Sequence, residues 1–388
     1  MLQLSTDEFT VVLQSNNKSQ DWENWGVKGL ILIEHFEKLS KLDTVFGEAK
    51  EIPYGVPQGY AVGYIYGDNP FYFCVAYHPE HIEMGIIVKF SAHAWAVFQE
   101  NYRQIYKENI QIHNYLQMIQ SEFYTSRLSR IDIAFDFMNE KVSVNTIYNQ
   151  LSKGNQVIRN NSGRKNSSTL SAVIKNNHVS TFYIGSRGKN IKAFLRVYDK
   201  KLEQEQTYGF RYIEAVKLDD WTRFEAVFKG DYAHSLYEEL LKINTENELK
   251  VLLVSSFTDR YQFFYKNSGK QTVFTKKMLA LIHQTNFSFY SPSPRDNQLK
   301  QSIEHILHGS GLFPTMFKIN EIWGYDGLKE FKEYLMEEYA VYEPNEDVTR
   351  WVNKYRYLYK KQGKPFGDNK KSAVQPTKAK NNTPHNQD

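Results

Sequence analysis

Tyr198 lies between Arg196 and Lys200, each two residues away. On an extended strand, side chains at that spacing share one face, so the tyrosine stands in a field of cations. A phenol titrates near pKa 10 and becomes a usable nucleophile at neutral pH only where cations or a metal stabilise the phenolate and the charge of a phosphorane. Attack on a phosphodiester is the chemistry this pattern serves. The runs Phe182 to Arg187 and Phe194 to Lys201 read as the arms of a β-hairpin, with Tyr183 the second candidate nucleophile. An edge strand in which Tyr198 covers an apolar cluster and the Lys and Arg residues discourage aggregation accounts for the same segment.

A second segment, Arg127 to Phe137, alternates with period two. It sets Ile131, Ile133, Phe135 and Phe137 on one face and Asp132, Ala134 and Asp136 on the other. Aspartate is depleted in strands and two half-buried carboxylates repel, so a divalent cation is an economical compensation, and oxygen ligands favour Mg2+ or Mn2+ over zinc. A third segment, Trp221 to Phe228, places Arg223 and Glu225 opposite Phe224, Ala226 and Phe228. Read plainly, Arg223 and Glu225 are an ordinary ion pair along one strand. Together the three strands offer a nucleophile, carboxylates and phosphate-binding cations on faces opposite an apolar one. Arg130, Arg187, Lys189, Lys201 and Arg223 on these segments are expected to meet DNA phosphates.

These strands need a scaffold. The pattern predicts an α+β fold: an antiparallel or mixed β-sheet nuclease core with flanking helices, a mainly helical C-terminal region, and a disordered basic tail. Strands are expected at Glu8–Gln14, Tyr60–Tyr66, Phe71–Tyr77 and Met84–Phe90, and helices at Val27–Leu42, Ala92–Lys107 and Asn145–Lys153. Gly154 to Thr169 is polar and nearly free of apolar residues; it reads as a surface loop whose Arg159, Arg164 and Lys165 suit a DNA backbone. After Phe228 the pattern turns helical, with candidates at 232–242, 246–257, 276–284, 295–308 and 327–339. The expected domains are 1–230 (nicking and strand transfer), 231–345 (helical DNA recognition) and 346–388 (partly helical, then a Lys/Asn-rich tail).

Composition excludes more than it identifies. A net charge of +4 over 388 residues is only mildly basic, so a nucleic-acid face must come from local patches. One cysteine, Cys74, excludes an internal disulfide and points to a reducing, cytoplasmic setting; its apolar neighbours make it a core filler. No basic leader or long apolar run predicts a signal peptide or membrane span. The pairs His78/His81 and His305/His308 lack a third ligand at metal spacing. There is no histidine-hydrophobe-histidine motif and no Walker loop.

In order along the chain, R-x-D-I-A-x-D, Y-I-G-S-R, R-x-Y-D-K-x-x-E and R-F-E resemble the Rep_trans replication initiation factors, which include rolling-circle plasmid initiators and relaxases of integrative and conjugative elements. A weaker likeness at Gly85–Ser91 extends the match over roughly 54–228. The resemblance implies that Tyr198 cuts one strand at the origin and stays joined to the 5′ phosphate, supported by Arg196 and Lys200. It makes Asp132, Asp136 and Glu225 the candidate metal ligands. It further implies origin DNA as partner, both the double-stranded origin and a single-stranded nick site, with origin contacts in the C-terminal part, a homodimer, and a host helicase to unwind. Plasmid replication and conjugative transfer share this chemistry. A catalytically silent DNA-binding regulator of the same fold and a metal-dependent hydrolytic nuclease remain the other readings.

Overall fold

The computed structural model describes residues 1–16, 24–52, 56, 59–66, 73–166, 168–175, 178–188, 191–283, 299–308 and 310–344, and short pieces between 348 and 364. Expectations for Lys189 and most of the tail therefore lie outside the described residues.

Among the described residues twelve strands are formed: β1 (Leu2–Ser15), β2 (Ala49–Glu51), β3 (Val62–Tyr66), β4 (Phe73–Tyr77), β5 (Ile86–Phe90), β6 (Tyr124–Met138), β7 (Gln156–Arg159), β8 (Leu170–Lys175), β9 (His178–Ile184), β10 (Ala193–Asp199), β11 (Trp221–Lys229) and β12 (Gln262–Tyr265). Ten of them make one antiparallel sheet in the order β2-β3-β4-β5-β1-β6-β11-β10-β9-β8, and β12 pairs with β7 apart from it. The helices are α1 (Trp25–Ser40), α2 (Leu42–Phe46), α3 (Ala92–Tyr106), α4 (Ile112–Met118), α5 (Val144–Ser152), α6 (Lys200–Thr207), α7 (Tyr212–Ala215), α8 (Asp231–Leu240), α9 (Glu246–Thr258), α10 (Val273–Ala280), α11 (Leu299–His308) and α12 (Leu312–Ala340). The expected α+β architecture is thus what the chain adopts. The pattern located α1, α3, α9 and β11 closely, but only the second half of β1 and of α12.

Period-two alternation explains how the sheet is covered. Its apolar side carries Phe9, Phe135 and Phe224, which meet Trp95 of α3, Phe257 of α9 and Phe274 of α10 at ring separations of 5.0, 4.8 and 5.2 Å. Fully burying each such ring contributes about 1.5–3 kcal/mol. Cys74 is buried as a core filler, and burial pushes its thiol up to about 11. The opposite side carries Asp132, Asp136, Arg223 and Glu225, and α6 packs against β11 and α7.

Two compact units result, Met1–Asn297 and Gln298–Asp388. The boundary expected at 230 is therefore displaced. Leu236, Leu240, Leu253, Phe257, Phe274 and Met278 on α8, α9 and α10 are buried in the same core as the sheet, so these helices complete the first unit. The polar stretch after Gly154 also differs from a simple loop, because Gln156–Arg159 pairs with a strand about a hundred residues away. In the second unit, α12 is bent at Gly324, whose φ of 69° departs from helical geometry, a conformation open to glycine.

Candidate active site

Two cross-strand rows build the polar face. One runs Asp136–Arg223–Tyr198–Thr181, the other Ala134–Glu225–Arg196–Tyr183, across β6, β11, β10 and β9. Directly opposed residues of antiparallel strands share a face, so register alone brings Tyr198, Arg196 and Glu225 together. The Tyr198 hydroxyl donates to Glu225 Oε2 at 3.2 Å, and Arg196 donates to both oxygens of Glu225 at 2.6 and 2.7 Å. The Arg196 guanidinium lies over the Tyr198 ring, 4.5 Å from its centroid.

Lys200 reaches the tyrosine by another route than the strand extension expected. β10 ends at Asp199, whose side chain accepts from Leu202 N at 2.8 Å and caps α6; a capping aspartate is a strong helix start. Lys200 is thus the first residue of a helix. Its ammonium is buried, 5.5 Å from the Tyr198 ring centroid, and paired with Glu203 at 2.8 Å. Burial and the Arg223 charge push its pKa down, against Glu203 and Asp7.

The carboxylates divide into two groups. Asp136 accepts from Arg223 Nε and Nη2 at 2.7 and 2.6 Å, from Arg211 Nη1 at 3.0 Å and from Trp221 Nε1 at 2.7 Å. Despite burial, Arg223 and Arg211 hold its carboxyl well below the usual range. With both oxygens so occupied, Asp136 acts here as an anchor for arginines. Arg223 in turn binds Asp7 at 2.9 Å and is 2 % exposed, so the expectation that it meets DNA fails for want of surface. Asp132 is gripped by Arg130 at 2.6 and 2.9 Å. Burial, then the neighbouring Glu225 and Glu8 charges, push its carboxyl up against the pull of Arg130.

Glu8 and Asp7 are adjacent, yet both serve this face. Thr6 pairs with Ile133 and Phe9 with Ile131, so β1 carries one extra residue opposite Asp132, a β-bulge. Glu8 binds Arg130 at 2.5 Å and Lys89 at 3.6 Å. Neither acid nor Arg211 was foreseen from sequence, and Glu203, the last residue of R-x-Y-D-K-x-x-E, and Trp221, the first of the third segment, had no role assigned; for Asp7 and Glu8 the signal was an acidic pair inside a run of strand formers.

Other expected DNA contacts scatter. Arg164 and Lys165 are exposed, Arg159 stacks on Phe264, and Arg187 is exposed above Tyr183. Lys201 instead donates to the carbonyls of Ala215 and Leu218 at 3.2 and 2.7 Å and pairs with Glu205, which makes it a tie between α6 and the turn after α7.

Mg2+ is commonly held by one or two carboxylates and substrate phosphate rather than by a closed protein cage. Among the described residues no three His, Cys, Asp or Glu side chains enclose a metal. Asp132 and Glu225 nevertheless supply the oxygen donors that suit a hard cation, and each already holds an arginine, Arg130 and Arg196, which a cation would have to displace.

A sheet of this order flanked by helices, carrying a tyrosine–arginine–carboxylate cluster, is similar in fold to the rolling circle replication initiator protein from Geobacillus stearothermophilus, with a TM-score of 0.51 and 16 % identity over 75 % of this chain and 100 % of that one. The Rep_trans family model, described as replication initiation factor, matches residues 126–337, more than half the chain. The protein belongs to the Rep_trans family of replication initiation factors. No curated protein matches the chain. Among the described residues no helix is long and apolar enough to cross a membrane.

Proposed function

We propose that the protein starts rolling-circle replication by cutting one strand at an origin with Tyr198, leaving a 5′-phosphotyrosyl link. The observation that carries this reading is the hydroxyl of Tyr198 donating to Glu225 beneath Arg196. Glu225 accepts the phenolic proton as the oxygen attacks phosphorus in line, and the 3′ oxygen leaves with a proton from solvent. Arg196 and Lys200 hold the equatorial oxygens; losing one such donor typically costs about 10²- to 10³-fold in rate. Because the energy of the broken ester is kept in the phosphotyrosyl bond, a 3′-hydroxyl can reverse the step and reseal the strand. Asp132 and Glu225 would hold Mg2+ or Mn2+, which supplies charge neutralisation at the phosphate. A conjugative relaxase of an integrative element would use the same residues. Origin DNA, a host helicase, a second copy of the chain and a cytoplasmic setting complete the proposal.

Incubation with Mn2+ or Mg2+ and a labelled single-stranded origin oligonucleotide, followed by mass spectrometry, tests it. A phosphotyrosyl peptide containing Tyr198 is expected. Cleavage with free ends would favour a hydrolytic nuclease, and binding without cleavage a silent regulator.

Two expected outcomes follow from the electrostatics. Burial, and then Glu225, push the Tyr198 phenol well above its ordinary value, with Arg223 and Arg196 opposing. The nicking rate under single-turnover conditions should therefore climb from pH 7 to 9, by up to about tenfold per unit where phenol ionisation limits; a flat profile would mean that proton removal is not part of the barrier. Asp132→Asn should raise the metal concentration needed for half-maximal nicking by about tenfold or more. It should also leave the fold at least as stable at neutral pH, since an upshifted carboxyl opposes folding above its unfolded value. An unchanged metal response would remove Asp132 from the metal site.

A further inference from the structure

We propose that Tyr183 and Arg187 form a stacking platform for a base of single-stranded DNA next to the cleaved phosphate, a subsite separate from the nucleophile. This deepens the strand-cleavage reading of the polar sheet face and rests on it. Tyr183 is the direct cross-strand neighbour of Arg196, and so belongs to the face that carries Tyr198, one row further along the strands. Unlike Tyr198, which is 5 % exposed, Tyr183 is only half-buried.

Arg187 is returned over the ring by the turn that follows β9. Gly185, at φ +100°, makes the reversal, and its N–H donates to Thr169 O at 2.8 Å. A side chain there would be strained and would stand 3.3 Å from Phe194 Cβ. The outcome is a guanidinium 4.1 Å from the Tyr183 ring centroid. Arg130, Arg196, Arg211 and Arg223 on this face are each matched by a carboxylate. No carboxylate pairs with Arg187 among the described residues, and its side chain is exposed. Its charge is thus free for phosphate, while an exposed guanidinium over a phenol ring suits a nucleobase.

Base stacking on an aromatic contributes about 1–3 kcal/mol per base and tolerates any sequence, so the platform can be probed without the origin. Fluorescence anisotropy in EDTA would compare a labelled dT oligonucleotide of about twelve residues with an abasic chain of equal length. Tyr183→Ala should weaken binding of dT by about tenfold and leave the abasic chain unchanged, whereas Tyr183→Trp should keep wild-type affinity; thermal melts would establish that both variants fold. Equal binding of dT by Tyr183→Ala and wild type, or an equal loss on the abasic chain, overturns the platform. The two readings fail separately: cleavage that survives Tyr198→Phe sinks the nucleophile without touching the anisotropy difference.

Discussion

Tyr198→Phe is expected to abolish nicking and the covalent adduct, a loss of about 10⁴-fold or more as for other deleted nucleophiles, while origin binding in a gel shift stays within about twofold. The change removes one oxygen and one hydrogen bond, to Glu225, and keeps a ring of the same shape under Arg196. The fold should scarcely notice, because Glu225 retains both bonds from Arg196. Persistent nicking of supercoiled DNA by the variant would refute the assignment.

Asp136→Ala should be the most damaging single change to the first unit. It takes from Arg223 and Arg211, whose side chains are each 3 % exposed, the carboxylate they share and leaves them only Asp7 and Glu214; breaking a buried pair by deleting one partner typically costs about 3–5 kcal/mol. Urea unfolding should report that loss as a lower midpoint with an unchanged slope; a shift below about 1 kcal/mol would show that the arginines find other partners. Because the carboxyl's folded value lies below its unfolded one, its stabilisation is complete at neutral pH. It is lost only as pH falls through that depressed value, in strong acid. If Asp136 were instead a metal ligand, the same variant would recover with excess Mn2+, which an anchor would not.

How far the sequence reveals this site depends on the physical range of each cue. β6 and β11 were legible because strand alternation is a local property: Ile131, Ile133, Phe135, Phe224 and Phe228 declare one face, and Asp132, Asp136, Arg223 and Glu225 follow on the other. Depth was not legible. Whether Arg223 sits at a surface depends on Asp7 from β1 and on Asp136, 216 and 87 residues distant. The bulge that turns Asp7 and Glu8 to the same side is likewise a property of two strands, fixed by the offset of β1 against β6 and absent from either alone. Arg211 enters from the turn before a four-residue helix, too short for periodicity to mark. The break at 230 was misplaced because a shift from strand to helix pattern looks like a domain boundary, although α8 to α10 are the sheet's other layer.

The way Tyr198 is stored has a consequence for life among bystander nucleic acids. A cell at any moment contains many stretches of unpaired DNA, and an enzyme with a ready phenolate would scar them. Here the oxygen keeps its proton, tied to Glu225, and an arginine lies across the ring. A strand must therefore compete for Arg196 before the oxygen is uncovered. If Tyr198 is the nucleophile we propose, chance encounters fail at that threshold, and quiescence is the default from which an origin would release the protein.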